Sequence, residues 1–206
     1  MKLSSTAIAF LAIVSSAAAT SATEYRSASV GQILADRNCT WCHGPSLQGF
    51  TTAPRLAGQR AEYVENQLTS LKAHTRDNPL SKQVMWGAAN AITPEAYHEL
   101  GVYFSTLEAE PANDGNRNTV ASGRSIYRDG LASANIPSCG ICHGPEGQGV
   151  GAIPRVGGLS YLYLKRKLEQ WIEGYHGTAL APMPAVSRSL SAKEIDEISS
   201  YLSFIR

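Results

Sequence analysis

Charge is scarce in this chain: Asp, Glu, Lys and Arg together make up 17% of its 206 residues. Basic and acidic groups nearly cancel, 18 against 17, for a formal net charge of +1. A disordered chain or a nucleic-acid-binding surface would need more charge, or more of one sign. Long apolar runs are missing beyond the first 22 residues. The hydrophobic share of 43% suits a globular protein and is too low for a polytopic membrane protein. Methionine occurs only three times, cysteine four and histidine five. Residues so rare are informative by where they fall.

Residues 1–22 have the features of a secretory signal. Lys2 is the only charge before Glu24, and the apolar run Ala7 to Val14 follows it. Ala17-Ala18-Ala19 and Thr20-Ser21-Ala22 offer two small-residue cleavage sites, after Ala19 or after Ala22. The alternative, an uncleaved anchor, has an apolar core shorter than a full span. An exported protein is expected in the periplasm, with at most peripheral membrane association. Loss of the signal leaves 17 basic and 17 acidic residues. Residues 24–112 then carry a net −2 and residues 113–206 a net +2, enough to orient a partner but not to identify one.

The chain repeats itself. Cys39-Thr40-Trp41-Cys42-His43-Gly44-Pro45 and Cys139-Gly140-Ile141-Cys142-His143-Gly144-Pro145 lie 100 residues apart. Pro54-Arg55-Leu56-Ala57-Gly58 matches Pro154-Arg155-Val156-Gly157-Gly158, and Tyr63 and Leu68 match Tyr163 and Leu168. The offset later falls to 98, pairing Met85 with Met183 and Tyr103 with Tyr201. Two small domains of one kind are expected, residues 23–108 and 119–206, joined by a Pro/Asn/Asp/Gly-rich linker at 109–118. Each reads as all-α. Val64, Leu68 and Leu71 have helical spacing, as do Tyr97, Leu100, Phe104 and Leu107 after a Thr93 cap and Pro94. Ser191 to Glu194 is a capping box ahead of Ile195, Ile198, Leu202 and Ile205. Domains of this size with long loops are marginal, and a covalent apolar cofactor would supply the missing core.

C-x-x-C-H is the attachment signature of c-type heme. On one helical turn two thiols reach the porphyrin vinyl groups and the next imidazole sits over the iron. Gly44 and Gly144 let the backbone turn away. A shared zinc site wants a shorter separation, a thioredoxin-like pair wants a preceding strand, and disulfides need no histidine. Two covalent hemes c are therefore expected, on Cys39, Cys42 and His43, and on Cys139, Cys142 and His143. Met85 lies 42 residues after His43 and Met183 lies 40 after His143, each ahead of the final helix. The matched placement makes them the expected sixth ligands. His74 and His176 are the rivals, with a surface role the favoured alternative, and His98 is a solvated face residue. Pro54 and Pro154 are candidates to accept a hydrogen bond from the proximal imidazole. Arg55, Arg155, Tyr63 and Tyr163 are equally readable as propionate contacts or as structural residues.

With these residues in place the chain resembles the diheme cytochrome c4 family of class I cytochromes c. The likeness covers nearly all of the chain beyond the signal. It rests on both C-x-x-C-H-G motifs, on Pro54-Arg55-Leu56-Ala57-Gly58-Gln59, on Tyr63 with Gln67-Leu68, and on a Met before each terminal helix. The resemblance implies two class I domains related by a pseudo-twofold, propionate edges facing one another, and His–Met ligation of both irons. It also implies electron transfer between redox proteins, toward a membrane-bound heme-copper oxidase. This chain departs from the pattern at Val156-Gly157-Gly158-Leu159. It departs again in the eight extra residues between Gly123 and Cys139, measured against Gly31 and Cys39. An electron carrier without catalysis is the leading expectation. A heme subunit of a dehydrogenase complex, or a diheme enzyme such as a thiosulfate dehydrogenase, is the alternative.

Overall fold

The computed structural model describes residues 28–176 and 182–206. The expected signal lies outside the described residues. Within them the structure is helical, and only isolated β-bridges such as Phe50 with Ala53 and Val150 with Ile153 interrupt it. The first half runs α1 (Val30–Asn38), α2 (Thr40–His43), α3 (Ala61–Lys72), a π-helical turn Ser81–Met85 leading into α4 (Trp86–Asn90), and α5 (Pro94–Thr106). The second runs α6 (Val120–Asp129), α7 (Gly140–His143), α8 (Tyr161–Ile172), α9 (Met183–Arg188) and α10 (Ala192–Ser203). The extra residues before Cys139 include a short 3-10 turn, Ala132–Ala134. No helix among the described residues is long and apolar enough to cross a membrane.

Each half has its own apolar core. Val64, Leu68 and Leu71 of α3 pack with Tyr97, Leu100 and Phe104 of α5. Leu164 and Leu168 of α8 pack with Ile195, Ile198 and Leu202 of α10 and with Ile205 beyond it. The capping box forms at α10: the Glu194 amide donates to Ser191 Oγ, and the Ser191 amide to Glu194 Oε2 at 2.7 Å. Thr93 takes the cap position of α5, but its hydroxyl accepts no helix amide. Pro94 at the first position already removes one donor that would need it.

Helix α1 carries no clear apolar stripe, whereas α6 turns Val120, Ile126 and Tyr127 to the core; both dock through glycine. A Cβ at Gly31 would stand 2.2 Å from the Glu99 carbonyl oxygen, and one at Gly123 would stand 2.0 Å from that of Glu197. Both helices thus lie backbone to backbone on the terminal helix of their half.

The segment 109–118 is not a free tether. The Asn113 amide donates to Ser203 O at 2.9 Å, the Gly115 amide to Ser203 Oγ at 3.1 Å and the Asn116 amide to Ser200 Oγ at 3.2 Å. It lies along α10, whose Ser199, Ser200 and Ser203 are small enough to be fully buried beneath it. The halves are further joined by Arg55, which is 4% exposed. Its guanidinium donates to Gly157 O at 2.6 Å, Gly158 O at 2.8 Å and Glu110 O at 2.5 Å. The structural reading of Arg55 therefore prevails over propionate contact: most of its donors already serve carbonyls.

Gly123→Ala should destabilise the second half by about 1–3 kcal/mol through overpacking. The check is thermal unfolding followed by far-ultraviolet circular dichroism, where the variant should melt several degrees below the parent.

Candidate heme sites

Both C-x-x-C-H motifs form one helical turn. In the first, the Cys42 and His43 amides donate to the Cys39 carbonyl at 3.2 and 3.0 Å; in the second, Cys142 and His143 donate to Cys139 at 3.2 and 2.9 Å. The two thiols and the imidazole of each motif therefore share one face. No disulfide joins any of the four cysteines. Burial pushes Cys39 and Cys139 up to about 11. A redox-active dithiol would have its thiol shifted the other way. Among the described residues no three His, Cys, Asp or Glu side chains converge as a metal cluster, so the two pairs do not share a zinc site. Gly44 and Gly144 close the turns at φ +83 and +81.

A folded-back loop follows each motif. The Gly49 amide donates to His43 O at 2.8 Å, and the Leu56 and Ala57 amides both donate to Leu47 O. The second half repeats this with Gly149 to His143 O, and with Val156 and Gly157 to Gly147 O. The loop brings Pro54 O to 2.7 Å from His43 Nδ1, and Pro154 O to 2.9 Å from His143 Nδ1. A prolyl carbonyl can only accept, so Nδ1 carries the proton and Nε2 keeps its lone pair. Burial also pushes both imidazoles below their ordinary range, which favours the neutral, ligating form. Met85 ends the π-helical turn and packs against the first core, while Met183 opens α9 and packs against the second. Both are half-buried.

Between the halves lies a cationic seam that the sequence reading missed. Arg76 donates to Gln67 Oε1 at 2.9 Å. The His176 amide donates to Asp77 Oδ1 at 2.8 Å. His176 is buried, not a surface residue, because this contact seats it against the other half. His74 is exposed and stacks on Trp86 with ring centroids 3.9 Å apart. His98 is exposed and faces Glu65 at 3.4 Å. Burial, with Arg76 nearby, pushes Lys167 down to about 6. Burial, with Lys167 and Arg76, pushes His176 to about 3. Arg60 Nε, Arg76 Nε, Arg155 Nε, Trp171 Nε1 and His176 Nε2 are buried without a partner. Each such orphan costs about 1–3 kcal/mol, and a site short of acceptors suits a group bearing carboxylates. Heme, with two propionates, is such a group, and the thiols and imidazole lone pairs fit its vinyls and iron. A signal was available: at the offset of 100, Gln67 aligns with Lys167 and Arg76 with His176. The repeat breaks where charge enters.

The cytochrome c family profile matches the chain twice, over residues 28–108 and 120–205. The fold and sites thus define a c-type cytochrome with two cytochrome c domains. The thiosulfate dehydrogenase electron acceptor of Stutzerimonas stutzeri A1501 is 34% identical over 176 residues, spanning 79% of this chain and 76% of that protein. Cytochrome c4 of Azotobacter vinelandii is 30% identical over 177 residues, spanning 80% and 82%. The crystal structure of reduced cytochrome c4 from Pseudomonas stutzeri matches with a TM-score of 0.76 at 25% identity, covering 87% of this chain and 100% of that one. The chain belongs to the diheme cytochrome c4 family and carries two covalently bound hemes c, one at each C-x-x-C-H motif.

The intact mass of the exported protein should exceed that of the polypeptide by two hemes, and acid–acetone extraction should remove neither. Cys42→Ala should leave the first heme on a single thioether and the second untouched, as pyridine hemochrome spectra would show.

Proposed function

We propose that this protein is a periplasmic carrier that moves electrons singly between redox proteins and turns over no substrate of its own. The observation that carries the reading is the matched pair of sites. Each half has a histidine with Nδ1 tied to a prolyl carbonyl and a methionine packed on that half's core, and these would hold the iron: His43 with Met85, and His143 with Met183. Bound heme supplies a one-electron couple. Pro54 and Pro154 hold the imidazoles in one orientation and one tautomer. Met85 and Met183 would hold the irons through a soft thioether, which would favour the ferrous state and keep small molecules out.

Electrons enter and leave at the exposed edges of the motifs. Trp41 and Ile141, the apolar residues inside the two C-x-x-C-H turns, are 88% and 75% exposed. They offer a ring of apolar contact beside each thioether. The donor is a dehydrogenase, a reading favoured by the relative named a thiosulfate dehydrogenase electron acceptor. The acceptor is a membrane-bound heme-copper terminal oxidase, as the family resemblance implies. The opposite charges of the two halves orient the two encounters, an effect that salt screens.

Met85→His and Met183→His should each remove about half of the Met–iron charge-transfer absorbance of the oxidised protein and lower the potential of one heme. The double variant should lose the band entirely. An unchanged band in either single variant would assign that sixth ligand elsewhere. For the carrier itself, stopped-flow mixing with an oxidase-containing membrane preparation should show rapid oxidation of both hemes. Steady turnover of thiosulfate or peroxide by the isolated protein, without such exchange, would identify an enzyme instead.

A further inference from the structure

One side chain of the first half reaches the peptide group that orients the second half's imidazole. Gln59 is 6% exposed. Its Oε1 accepts the Arg155 amide at 2.8 Å and the Arg60 amide at 2.9 Å, while its Nε2 donates to Arg155 O at 3.0 Å. These contacts fix the side-chain amide: reversing it would set its N–H groups against two donors. The Arg155 N–H belongs to the same peptide unit as the Pro154 carbonyl. That carbonyl accepts His143 Nδ1–H at 2.9 Å. A continuous chain of hydrogen bonds therefore runs from Gln59 through one peptide unit to the second proximal histidine.

Among the described residues no reciprocal chain runs from the second half to the Pro54–Arg55 peptide. The residue aligned with Gln59 is Leu159, which is apolar and buried in the second core. The Arg55 guanidinium beside this contact is spent on the carbonyls of Gly157, Gly158 and Glu110. The connection is thus one-way, from the first half to the second heme.

We propose that Gln59 is a positioning residue for the second heme, acting through the Pro154–Arg155 peptide on His143. The proposal rests on the reading of His143 as an axial ligand. An acceptor on the peptide N–H polarises the unit and makes its carbonyl a stronger acceptor. The imidazole then gains electron density at Nε2, which favours ferric iron. Gln59 lowers the potential of the second heme and leaves the first alone. The first half's fold thereby separates two otherwise similar sites.

The test uses the full diheme protein and resolves each heme by NMR through a redox titration. Gln59→Leu installs the residue of the matching position. It should raise the potential of the second heme, shift the paramagnetic imidazole resonances of His143 and leave those of His43 in place. Gln59→Glu keeps an acceptor oxygen, now anionic, and loses the Nε2 donor. It should move the second heme's potential the other way and by more than the first heme's. A loss of packing alone would move both variants in one direction. Equal shifts at both hemes, shifts of the same sign in both variants, or no shift in either would overturn the relay. Absence of a paramagnetically shifted His143 ring in the parent protein would instead overturn the ligand assignment, so the two failures are distinguishable.

Discussion

The hydrogen bond from the imidazole Nδ1–H to a prolyl carbonyl, made once in each half, is the constraint around which the loops are organised. A single helical turn can bring two thiols and an imidazole to one face, but it leaves the ring free to rotate about its side-chain bonds. Eleven residues separate His43 from Pro54, and the same number separate His143 from Pro154. In both loops a glycine amide returns to the histidine carbonyl, and two consecutive amides return to the carbonyl at position 47 or 147. The loop thus closes on the residue it restrains. Ligand orientation becomes a property of backbone geometry, which an electron carrier needs if its iron is to change charge without rearrangement.

The same loops also build the boundary between the halves. Arg55 follows Pro54 directly and reaches across to the carbonyls of Gly157 and Gly158. Glycine stands at this position in both copies, Gly58 and Gly158, and a Cβ at Gly158 would stand 2.6 Å from the Arg55 guanidinium; at the departing Gly157 a Cβ would stand 2.5 Å from the Glu146 carbonyl oxygen. A duplicated domain has become asymmetric where the copies touch. The first copy supplies long polar side chains, Arg55 and Gln59, and the second supplies bare backbone to receive them. The seam between the halves buries Arg55, Gln59 and His176.

Much of the fold was legible because it follows local rules. The spacing of Val64, Leu68 and Leu71, and the Ser191/Glu194 cap, describe helices that exist largely for reasons internal to their own sequence. The turn of the attachment motif follows from the i, i+3, i+4 geometry alone. Helix α1 was not legible in this way. Its closest contact is a missing side chain, and a glycine that permits close approach carries no hydrophobic period. The π-helical turn that ends at Met85 is likewise silent in the sequence, since its backbone is set by what packs around it.

What the sequence determined by itself was the chemistry: that each C-x-x-C-H motif attaches a heme, how many hemes there are, and that the chain is a duplication. Those facts sit in short motifs whose spacing is covalent and which no packing can alter. What only the tertiary structure decided was how the two copies differ. Arg55 was equally readable as a propionate partner, and His176 as a surface residue. Both are buried between the halves, bound to groups about one hundred positions away. A residue's charge is written in the chain, but its partner is chosen by folding. Between two nearly identical domains, the energetic cost of burying each polar group depends on whichever neighbour the other domain brings.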